Sequence, residues 1–454
     1  MYGGSREPSP KMQEVKYNYQ NIRVLFREVG GRLKMIVMNR NLFLDTAAFS
    51  CTAVLSRNGR ELKSRQLDIR VAPLDEDLFD MPFAIPRETG EYAVTVSFRL
   101  REDTLWAKCG HETAWDQYVT YVGSAPDLDQ RSGPALQKAA EAGCSLSGIR
   151  LYGAETEAAG GRAAGKLSVV HGWQNIGVRG EHFGVLFSGT WGGLVSYRFG
   201  GRELLAGMPR PNFWRAVTQN DAANLLPFRA GQWRTAGAFV SHRTEHGLGI
   251  TWPVLEETES CVRVTYTYHL PTQPAKDCLV IYEVYPDGEI AVTLRMERSD
   301  EIGELPAFGM MLRLDADYDR LTWYGLGPEE TYTDRCRAKL GIYSNRVRDN
   351  MAAYTVPQEC GNKVGTRYAA LTDAAGRGLL FLAGGLEFSA LPWSPEELEH
   401  AAHPTELPDP HYTYVRIGRQ MGIGGDDTWG TETHPEYRLD NTRPVEIRFS
   451  FKGI

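Results

Sequence analysis

The chain has 454 residues, of which 42% are hydrophobic, 24% are charged and 11% are aromatic, and its formal net charge is −7. This length predicts two or three domains, each large enough to bury its own core. The aromatic content excludes a disordered chain, and the mild acidity differs from the basic surface that nucleic-acid-binding proteins present. No apolar run approaches the ~18 residues needed to cross a bilayer.

The cysteine pattern indicates a reducing environment. Seven cysteines are scattered along the chain without a CxxC pair, and an odd, scattered set is a poor disulfide framework. Residues 1–14 contain no apolar segment of the kind found in a signal peptide. We therefore expect a cytoplasmic protein, with no membrane and no nucleic acid among its partners.

Strand patterns dominate the sequence. Residues 92–100 and 261–270 alternate apolar and polar side chains with the period of a half-buried strand. Residues 279–285 and 289–296 predict two strands joined by a tight Pro-Asp-Gly turn. The alternation returns at 445–451 and predicts a final strand.

Helix signals are few. The clearest is 394–400, where Ser394 is placed to cap a helix and Pro395 occupies its first position. Residues 135–142 are a second candidate helix. The regular alternation of strands and helices that builds a barrel or a doubly wound sheet is missing, so the expected fold class is all-β.

Composition divides the chain into segments. Turn and polar residues cluster from 123 to 134 and indicate a break, so we expect residues 124–150 to be a linker. Residues 16–123, which precede it, match the size of an immunoglobulin-like β-sandwich, ~100 residues. Residues 151–454 are too many for an ordinary sandwich and predict one enlarged two-sheet domain, with a flexible loop at 158–165.

The segment with the richest chemistry is 419–430, in which three glycines precede Asp426, Asp427 and Trp429. Glycine allows the backbone to approach a ligand closely, carboxylates accept hydrogen bonds from sugar hydroxyls, and an indole matches the C–H face of a pyranose. These three side chains are our candidate substrate-binding residues. In the alternative interpretation, the aspartates cap the loop and the tryptophan packs in the core.

Metal binding and catalysis are not indicated by any pattern. The acids of the 419–430 loop lack the alternating spacing and closing glutamate of a Ca²⁺ loop, so we assign no metal to it. No GxSxG, Walker A or dinucleotide fingerprint occurs. No barrel that would present a carboxylate pair at its strand ends is predicted either. We therefore assign no catalytic residue to this chain.

Two further aromatic segments have structural interpretations. We expect residues 212–221 to cross a sheet, with Arg215 satisfying buried carbonyl groups. In residues 106–115, Trp106 and Trp115 flank a turn, and we expect both to pack in the core of the first sandwich.

Ordered motifs extend along nearly the whole chain. They are Tyr2-Gly3-Gly4 with residues 8–16, then 106–115, 212–221, 323–329, Tyr343, 357–362, 388–391, 420–429 and 434–437. Taken together, they resemble the C-terminal half of the large β-galactosidases of glycoside hydrolase family two, the type found in the lactose operon. Three positions depart from the family pattern: Val217 replaces a usual proline, Gln219 a usual aspartate, and Cys360 a usual asparagine or glycine.

The resemblance implies a particular architecture. The β-sandwich would be followed by a galactose-mutarotase-like supersandwich, and residues 1–15 would be a remnant that follows a catalytic barrel. Trp429 would match the tryptophan by which the last domain reaches the neighbouring barrel and stacks on the substrate. The chain would thus be a non-catalytic part of a retaining β-galactosidase.

The same resemblance implies partners and cofactors. The barrel and the sugar-binding domain, supplied upstream or as a separate large subunit, would carry both catalytic glutamates together with Mg²⁺ and Na⁺. No cofactor is expected in this chain itself. The substrate would be a β-galactoside such as lactose, and the intact enzyme would be a homo-oligomer.

Two alternatives remain open from the sequence. One is a stand-alone carbohydrate-binding module that uses Trp429 as its platform. The other is a mutarotase-like sugar epimerase, which needs a His/Glu acid–base pair across a cleft. Under the leading interpretation, in which the barrel is missing, the face that it would cover is exposed, so we expect an apolar, aromatic patch near Trp429 through which the chain self-associates.

Overall fold

The structure, a computed structural model, describes residues 6–123, 165–238, 252–427 and 429–454. The linker expected at 124–150, the candidate helix at 135–142 and all but residue 165 of the loop expected at 158–165 lie outside the described residues. Among the helices of the described ranges, none is both long and apolar enough to cross a membrane.

The first part of the chain is a sandwich of two antiparallel sheets. Its strands are β1 (Ile22–Val29), β2 (Arg32–Asn39), β3 (Phe49–Arg57), β4 (Arg60–Leu67), β5 (Glu76–Asp80), β6 (Gly90–Leu100) and β7 (Glu112–Val122). The strand order is β1-β2-β5 in one sheet and β4-β3-β6-β7 in the other. Inward-facing side chains of both sheets, such as Val37 and Phe98, form one buried apolar cluster, which is what alternating strands produce when each sheet has one wet face.

The larger part also contains two sheets within the described residues. Its first strands are β8 (Ser168–His171), β9 (Asn175–Arg179), β10 (Phe183–Ser188), β11 (Gly193–Phe199) and β12 (Arg202–Glu203), which form a five-stranded sheet. The second sheet has twelve strands: β13 (Gly207–Asn212), β14 (Val254–Glu257), β15 (Val262–Leu270), β16 (Lys276–Val284), β17 (Ile290–Met296), β18 (Ala307–Asp315), β19 (Arg320–Gly327), β20 (Lys339–Arg346), β21 (Lys363–Thr372), β22 (Gly378–Leu391), β23 (Tyr412–Gln420) and β24 (Val445–Gly453).

The two sheets of the larger part enclose a common core. The ring of Phe187 on β10 lies 5.4 Å from that of Tyr282 on β16, and the ring of Tyr197 on β11 lies 5.7 Å from that of Phe451 on β24. The predicted strands at 92–100, 261–270, 279–285, 289–296 and 445–451 correspond to β6, β15, β16, β17 and β24. The all-β fold class, with a sandwich followed by an enlarged two-sheet part, is thus confirmed.

Helices are short and few in the described ranges. They are α1 (Lys11–Asn18), α2 (Gln219–Ala223), α3 (Leu226–Arg229), α4 (Gly231–Ala238) and α5 (Pro395–His400). The prediction of α5 is confirmed, because Ser394 accepts a hydrogen bond from the backbone N–H of Glu397. The sequence did not predict α1, which crosses the boundary placed after residue 15, nor α2 to α4.

Polar contacts join the sandwich to the larger part. The carboxylate of Glu91 on β6 accepts hydrogen bonds from the Arg367 guanidinium at 3.0 and 2.5 Å and from the Tyr324 hydroxyl at 2.6 Å. The amide side chain of Gln117 pairs with both backbone groups of Leu340, at 2.9 and 3.1 Å. Bidentate pairs of this kind fix orientation as well as distance.

The expectation that both tryptophans of residues 106–115 pack in the core of the sandwich is wrong. Ala114 belongs to the apolar cluster of the sandwich, whereas Trp115, on the opposite face of β7, lies outside that cluster and packs against α1. Trp115 on β7 is buried, 9% exposed, and its ring lies 4.9 Å from that of Tyr17 on α1. Trp106 is 67% exposed, because the connection between β6 and β7 projects into solvent and carries this side chain away from the sandwich core.

Candidate functional site

A glycine-containing loop follows β23 and carries all three predicted site residues. Gly425 and Gly430 have positive φ, +95° and +94°. A Cβ on Gly425 would lie 2.4 Å from the Asn220 side-chain nitrogen, and one on Gly430 would lie 2.7 Å from the Ala223 carbonyl oxygen. Both partners belong to α2, so these glycines let the loop lie against the helix. The close approach that the sequence predicts is therefore made to the protein's own α2.

The indole of Trp429 projects from this loop into solvent. It is 90% exposed. Its backbone N–H donates a hydrogen bond to Asp427 Oδ1 at 2.8 Å, so the chain is fixed where the side chain leaves it. The interpretation that places this tryptophan in the core does not hold.

Both predicted carboxylates have partners inside the loop. Asp427 Oδ1 also accepts from the Thr431 N–H at 3.2 Å, and Oδ2 accepts from the Thr431 hydroxyl at 2.5 Å. The Thr431 hydroxyl and the two backbone donors hold the pKa of Asp427 below its usual range. Asp426 Oδ2 lies 2.5 Å from His434 Nε2, and this hydrogen bond raises the pKa of the imidazole. Each carboxylate thus shapes the loop that presents the indole, as the alternative interpretation expected of the aspartates.

A buried guanidinium anchors the start of the loop. Arg215 is 1% exposed and donates to the carbonyl oxygens of Met421 at 2.5 Å and Gly422 at 3.0 Å. Its charge is balanced by Asp221, whose Oδ1 lies 2.9 Å away. The prediction that this arginine satisfies buried carbonyl groups is confirmed, and those carbonyls prove to be the first two of the loop.

The same aspartate also caps the N-terminus of α2. Asp221 accepts from the Thr218 N–H at 3.1 Å, and its own N–H donates to the Thr218 hydroxyl at 3.0 Å, which forms a capping box. Asp221 is fully buried. One carboxylate therefore couples the position of the helix to the anchor of the loop.

A second buried carboxylate holds the residue before the loop. Glu387 on β22 accepts from the Gln420 backbone N–H at 3.1 Å and from the Asn362 side chain at 2.6 Å. Burial raises its pKa to about 7, although these two hydrogen bonds and Arg215 act in the opposite direction. Glu359, which pairs with Arg416, lies close enough to raise the pKa of Glu387 further.

This network supports the loop and has no room for a sugar. A cavity beside Glu387, lined also by Asn362 and Gln420, measures about 20 Å³, which is enough for a single water molecule. Sequence reasoning missed Glu387, although a signal was present: it is an acid within the otherwise apolar run of β22, and a buried acid needs partners.

Two exposed apolar side chains follow α2, the helix against which the loop lies. Leu225, just after α2, is 56% exposed with a positive φ of +62°, and Phe228 on α3 is 85% exposed. These exposed side chains belong to segments next to the loop, the region in which an apolar, aromatic patch is expected. Surface side chains of this size on neighbouring segments are typical of a face that binds something.

The histidine–carboxylate ion pairs in the described part of the chain do not support the epimerase alternative. The recorded histidine–carboxylate pairs there are His171–Glu257, His182–Glu181, His269–Asp277 and His434–Asp426. All four are exposed surface pairs, and none of them involves Glu387 or Glu359. A pair that lines a cleft, which the alternative requires, is not among them.

Two family descriptions match the chain. Residues 179–452 match the family "Beta galactosidase small chain", and residues 35–120 match "Beta-galactosidase, domain 4". The first match covers more than half of the chain, including the whole Trp429 loop.

Curated relatives agree with these matches. The chain is 37% identical to a β-galactosidase of Halalkalibacterium halodurans over 99% of its own length but 41% of the relative's, and 34% identical to one of Priestia megaterium over 98% and 40%. It therefore spans about 40% of the length of such relatives. A β-galactosidase small subunit of Latilactobacillus sakei is 33% identical, with 63% of this chain and 98% of that protein aligned.

Solved structures show only a distant likeness. A galactose 1-epimerase from Lactobacillus acidophilus aligns with 64% of this chain at a TM-score of 0.35 and 10% identity, over 99% of its own length. A mutarotase-type protein from Salmonella typhimurium aligns with 63% of this chain at 0.32 and 13%, over 93% of its own length. These scores are low, and no function is carried over from them.

Proposed function

The chain belongs to the β-galactosidase small-chain family, and we propose that it is the non-catalytic C-terminal part of a retaining β-galactosidase that hydrolyses terminal β-D-galactosyl residues such as that of lactose. In this proposal Trp429 supplies an aromatic platform for the substrate. The supporting observation is the 90% exposure of an indole on a loop anchored by the buried Arg215 and Asp221. A loop that is already anchored loses little backbone freedom when its indole makes contact with a ligand.

The proposal divides the reaction between two parts of the enzyme. Retaining hydrolysis uses one carboxylate to attack the anomeric carbon and another to protonate the leaving oxygen. We assign both to a preceding barrel, together with Mg²⁺ and Na⁺, and no cofactor to this chain. The indole face would cover the C–H face of a sugar ring. Asp427 and Asp426 would act on the substrate mainly by holding the loop, since both oxygens of Asp427 and Oδ2 of Asp426 already have partners within it.

The proposed partners follow from the same division. They are the barrel and the sugar-binding domain, from upstream sequence or a separate subunit, and further copies in a homo-oligomer. The exposed Leu225 and Phe228 beside the loop support a face that another part of the enzyme covers. We also propose a cytoplasmic location, which agrees with the free thiols of the six cysteines in the described ranges.

A chimera tests this proposal. The aligned C-terminal segment of the Halalkalibacterium halodurans β-galactosidase is replaced by this chain, and hydrolysis of o-nitrophenyl β-galactoside is measured. We expect activity in the chimera and none in the isolated chain. Trp429→Ala should raise KM ~10-fold with a smaller change in kcat, since a platform acts mainly through binding.

Trp173→Ala is the matched control, because this indole is also highly exposed, 86%, but lies outside the loop. It should leave both kinetic constants unchanged. Hydrolysis by the pure isolated chain would contradict the proposal, as would an active chimera with the same KM in the Trp429 variant and the parent.

The stand-alone binding module is distinguished by titrating the isolated chain. The exposure of Trp429 is the observation that favours it. Under our proposal, lactose should bind the isolated chain weakly, because one platform without an opposing wall buries little of the sugar. Tight lactose binding that Trp429→Ala abolishes would favour the module instead.

A further inference from the structure

A second exposed indole lies on the five-stranded sheet, on elements different from those of the Trp429 loop. Trp191 is in the turn between β10 and β11 and is 73% exposed. Its backbone N–H donates to the Ser188 hydroxyl at 3.0 Å, and the N–H of Gly189, where the turn begins, donates to the Gln174 carbonyl at 2.8 Å. The turn is therefore fixed at its own backbone while the ring remains free.

Two buried tyrosines of β15 hold this turn from beneath. The Tyr266 hydroxyl donates to the Ser188 carbonyl at 3.1 Å and to that of Gly193 at 3.4 Å, and the Tyr268 hydroxyl donates to the Gly192 carbonyl. Both tyrosines are 1% exposed. Burial raises the pKa of both phenols far above the usual range, so both remain donors at any physiological pH. The indole is displayed by a rigid support, which reduces the entropy lost when a ligand binds.

A groove of about 510 Å³ lies beside the indole. Its apolar lining comes from Leu186 on β10, Val195 on β11 and Met208 on β13. This volume is within the ~300–1,000 Å³ of sites that bind small ligands. The groove is thus lined by an indole together with aliphatic and thioether side chains.

The rest of the lining is polar and carries one charge. Gln174, Asn175 and Thr190 offer amide and hydroxyl groups, and Arg210 offers a guanidinium. No carboxylate is among the residues that line the groove. In the part of the chain that the structure describes, the Arg210 side chain makes no ion pair or hydrogen bond, so its planar donors are available to a ligand.

We propose that this groove is a second saccharide site, which takes a short acidic saccharide with a sugar ring on the Trp191 indole and a carboxylate facing Arg210. The indole suits the C–H face of a ring, the amides and the hydroxyl suit its hydroxyl groups, and the unpaired guanidinium suits a carboxylate in bidentate geometry. The inference does not depend on the function proposed for Trp429.

Binding of digalacturonate and lactose to the full chain tests this site, by saturation-transfer NMR and by calorimetry at ligand concentrations up to ~10 mM. Digalacturonate should bind more tightly than lactose. Trp191→Ala should weaken digalacturonate binding ~10-fold or more, and Arg210→Met should reduce it to the level of lactose. Both side chains are exposed, so neither substitution should impair folding.

Two control variants separate this site from other exposed indoles. Trp173→Ala and Trp429→Ala should leave digalacturonate binding unchanged, since neither residue lines the groove. The proposal is overturned if neither saccharide binds, or if binding survives Trp191→Ala. It is also overturned if saccharides fail to bind and Trp191→Ala instead turns a dimer into a monomer in sedimentation, which would assign the groove to a second copy of the chain.

Discussion

The Trp429 loop and the Trp191 turn both present a tryptophan to solvent, and they are held in different ways. The Trp429 loop is anchored by a buried ion pair, Arg215 with Asp221, at 2.9 Å. The Trp191 turn is anchored by the neutral hydroxyls of Tyr266 and Tyr268. Both indoles are largely exposed, 90% for Trp429 and 73% for Trp191. The two supports therefore differ in the buried groups that hold the backbone.

This difference determines how strongly each support responds to mutation and to pH. A buried charge that loses its partner is far more costly than a buried hydroxyl that is removed, because the remaining charge has no water around it. A charged anchor also responds to the titration of acids near it, whereas phenols with strongly raised pKa values do not. The two supports should therefore respond differently to mutation and to pH.

The largest effect is expected from Arg215→Met. This change leaves Asp221 buried without its counter-charge and the carbonyl groups of Met421 and Gly422 without a donor, so the free energy of unfolding should fall by about 3–5 kcal/mol. Urea denaturation measures this. Arg210→Met, the same substitution at an exposed position of β13, should change it by less than about 0.5 kcal/mol. Equal losses in the two variants would contradict the role of the anchor.

A smaller, pH-dependent effect is expected at Glu387. Its pKa of about 7 lies above the ordinary 4.5, so the folded state holds the proton more tightly than the unfolded chain. The resulting stability is fully present below about pH 4.5 and is lost as the pH rises through about 7. The loss amounts to about 3 kcal/mol.

Glu387→Gln tests this dependence, because the side chain then stays neutral. The variant should lack this component of the fall in stability between about pH 5 and pH 8, measured by the urea midpoint. Glu446→Gln, at an exposed position on β24, should follow the parent protein across the range. If the Glu387→Gln variant retained the same fall, the titrating group would lie elsewhere.

Tyr268→Phe should have a more modest effect. It removes the donor to the Gly192 carbonyl and leaves the packing of the ring in place, so we expect a loss of about 1–2 kcal/mol. Because a neutral group is removed, the loss should be the same at pH 5 and at pH 8. A loss that varied with pH would show that this support is not neutral.

The smallest effect is expected from Trp429→Ala. A ring that is 90% exposed buries almost nothing in the isolated chain, so the free energy of unfolding should change by less than about 0.5 kcal/mol. Thermal denaturation of the isolated chain checks this. A substantial loss of stability would show that the ring packs against the chain in solution.

The sequence revealed those parts of the structure that depend on local patterns. Alternation predicted β6, β15 and β24, since a strand with one buried face repeats every two residues. A serine followed by proline predicted α5. Glycines before Trp429 predicted an irregular loop, and Arg215 was expected to satisfy buried carbonyl groups.

The remaining features depend on tertiary contacts. The α1 helix has no buried residues and a weak apolar pattern, because its contacts are polar ones such as Tyr17 with Asp116. The partners of Glu387, Asn362 and Gln420, are 25 and 33 positions away, so no local pattern could reveal them. Trp106 and Trp115 occur in one motif, yet only tertiary structure decides which of them is covered.

The Glu91–Arg367 and Gln117–Leu340 contacts have a consequence for the architecture as a whole. They set the angle between the sandwich and the larger part through side chains, so that angle is not left to the covalent path between them. The sandwich is thus packed against the larger part in a defined orientation, unlike a domain that is joined only by a flexible linker. Interrupting the polypeptide between the two parts would leave the surfaces that recognise each other untouched.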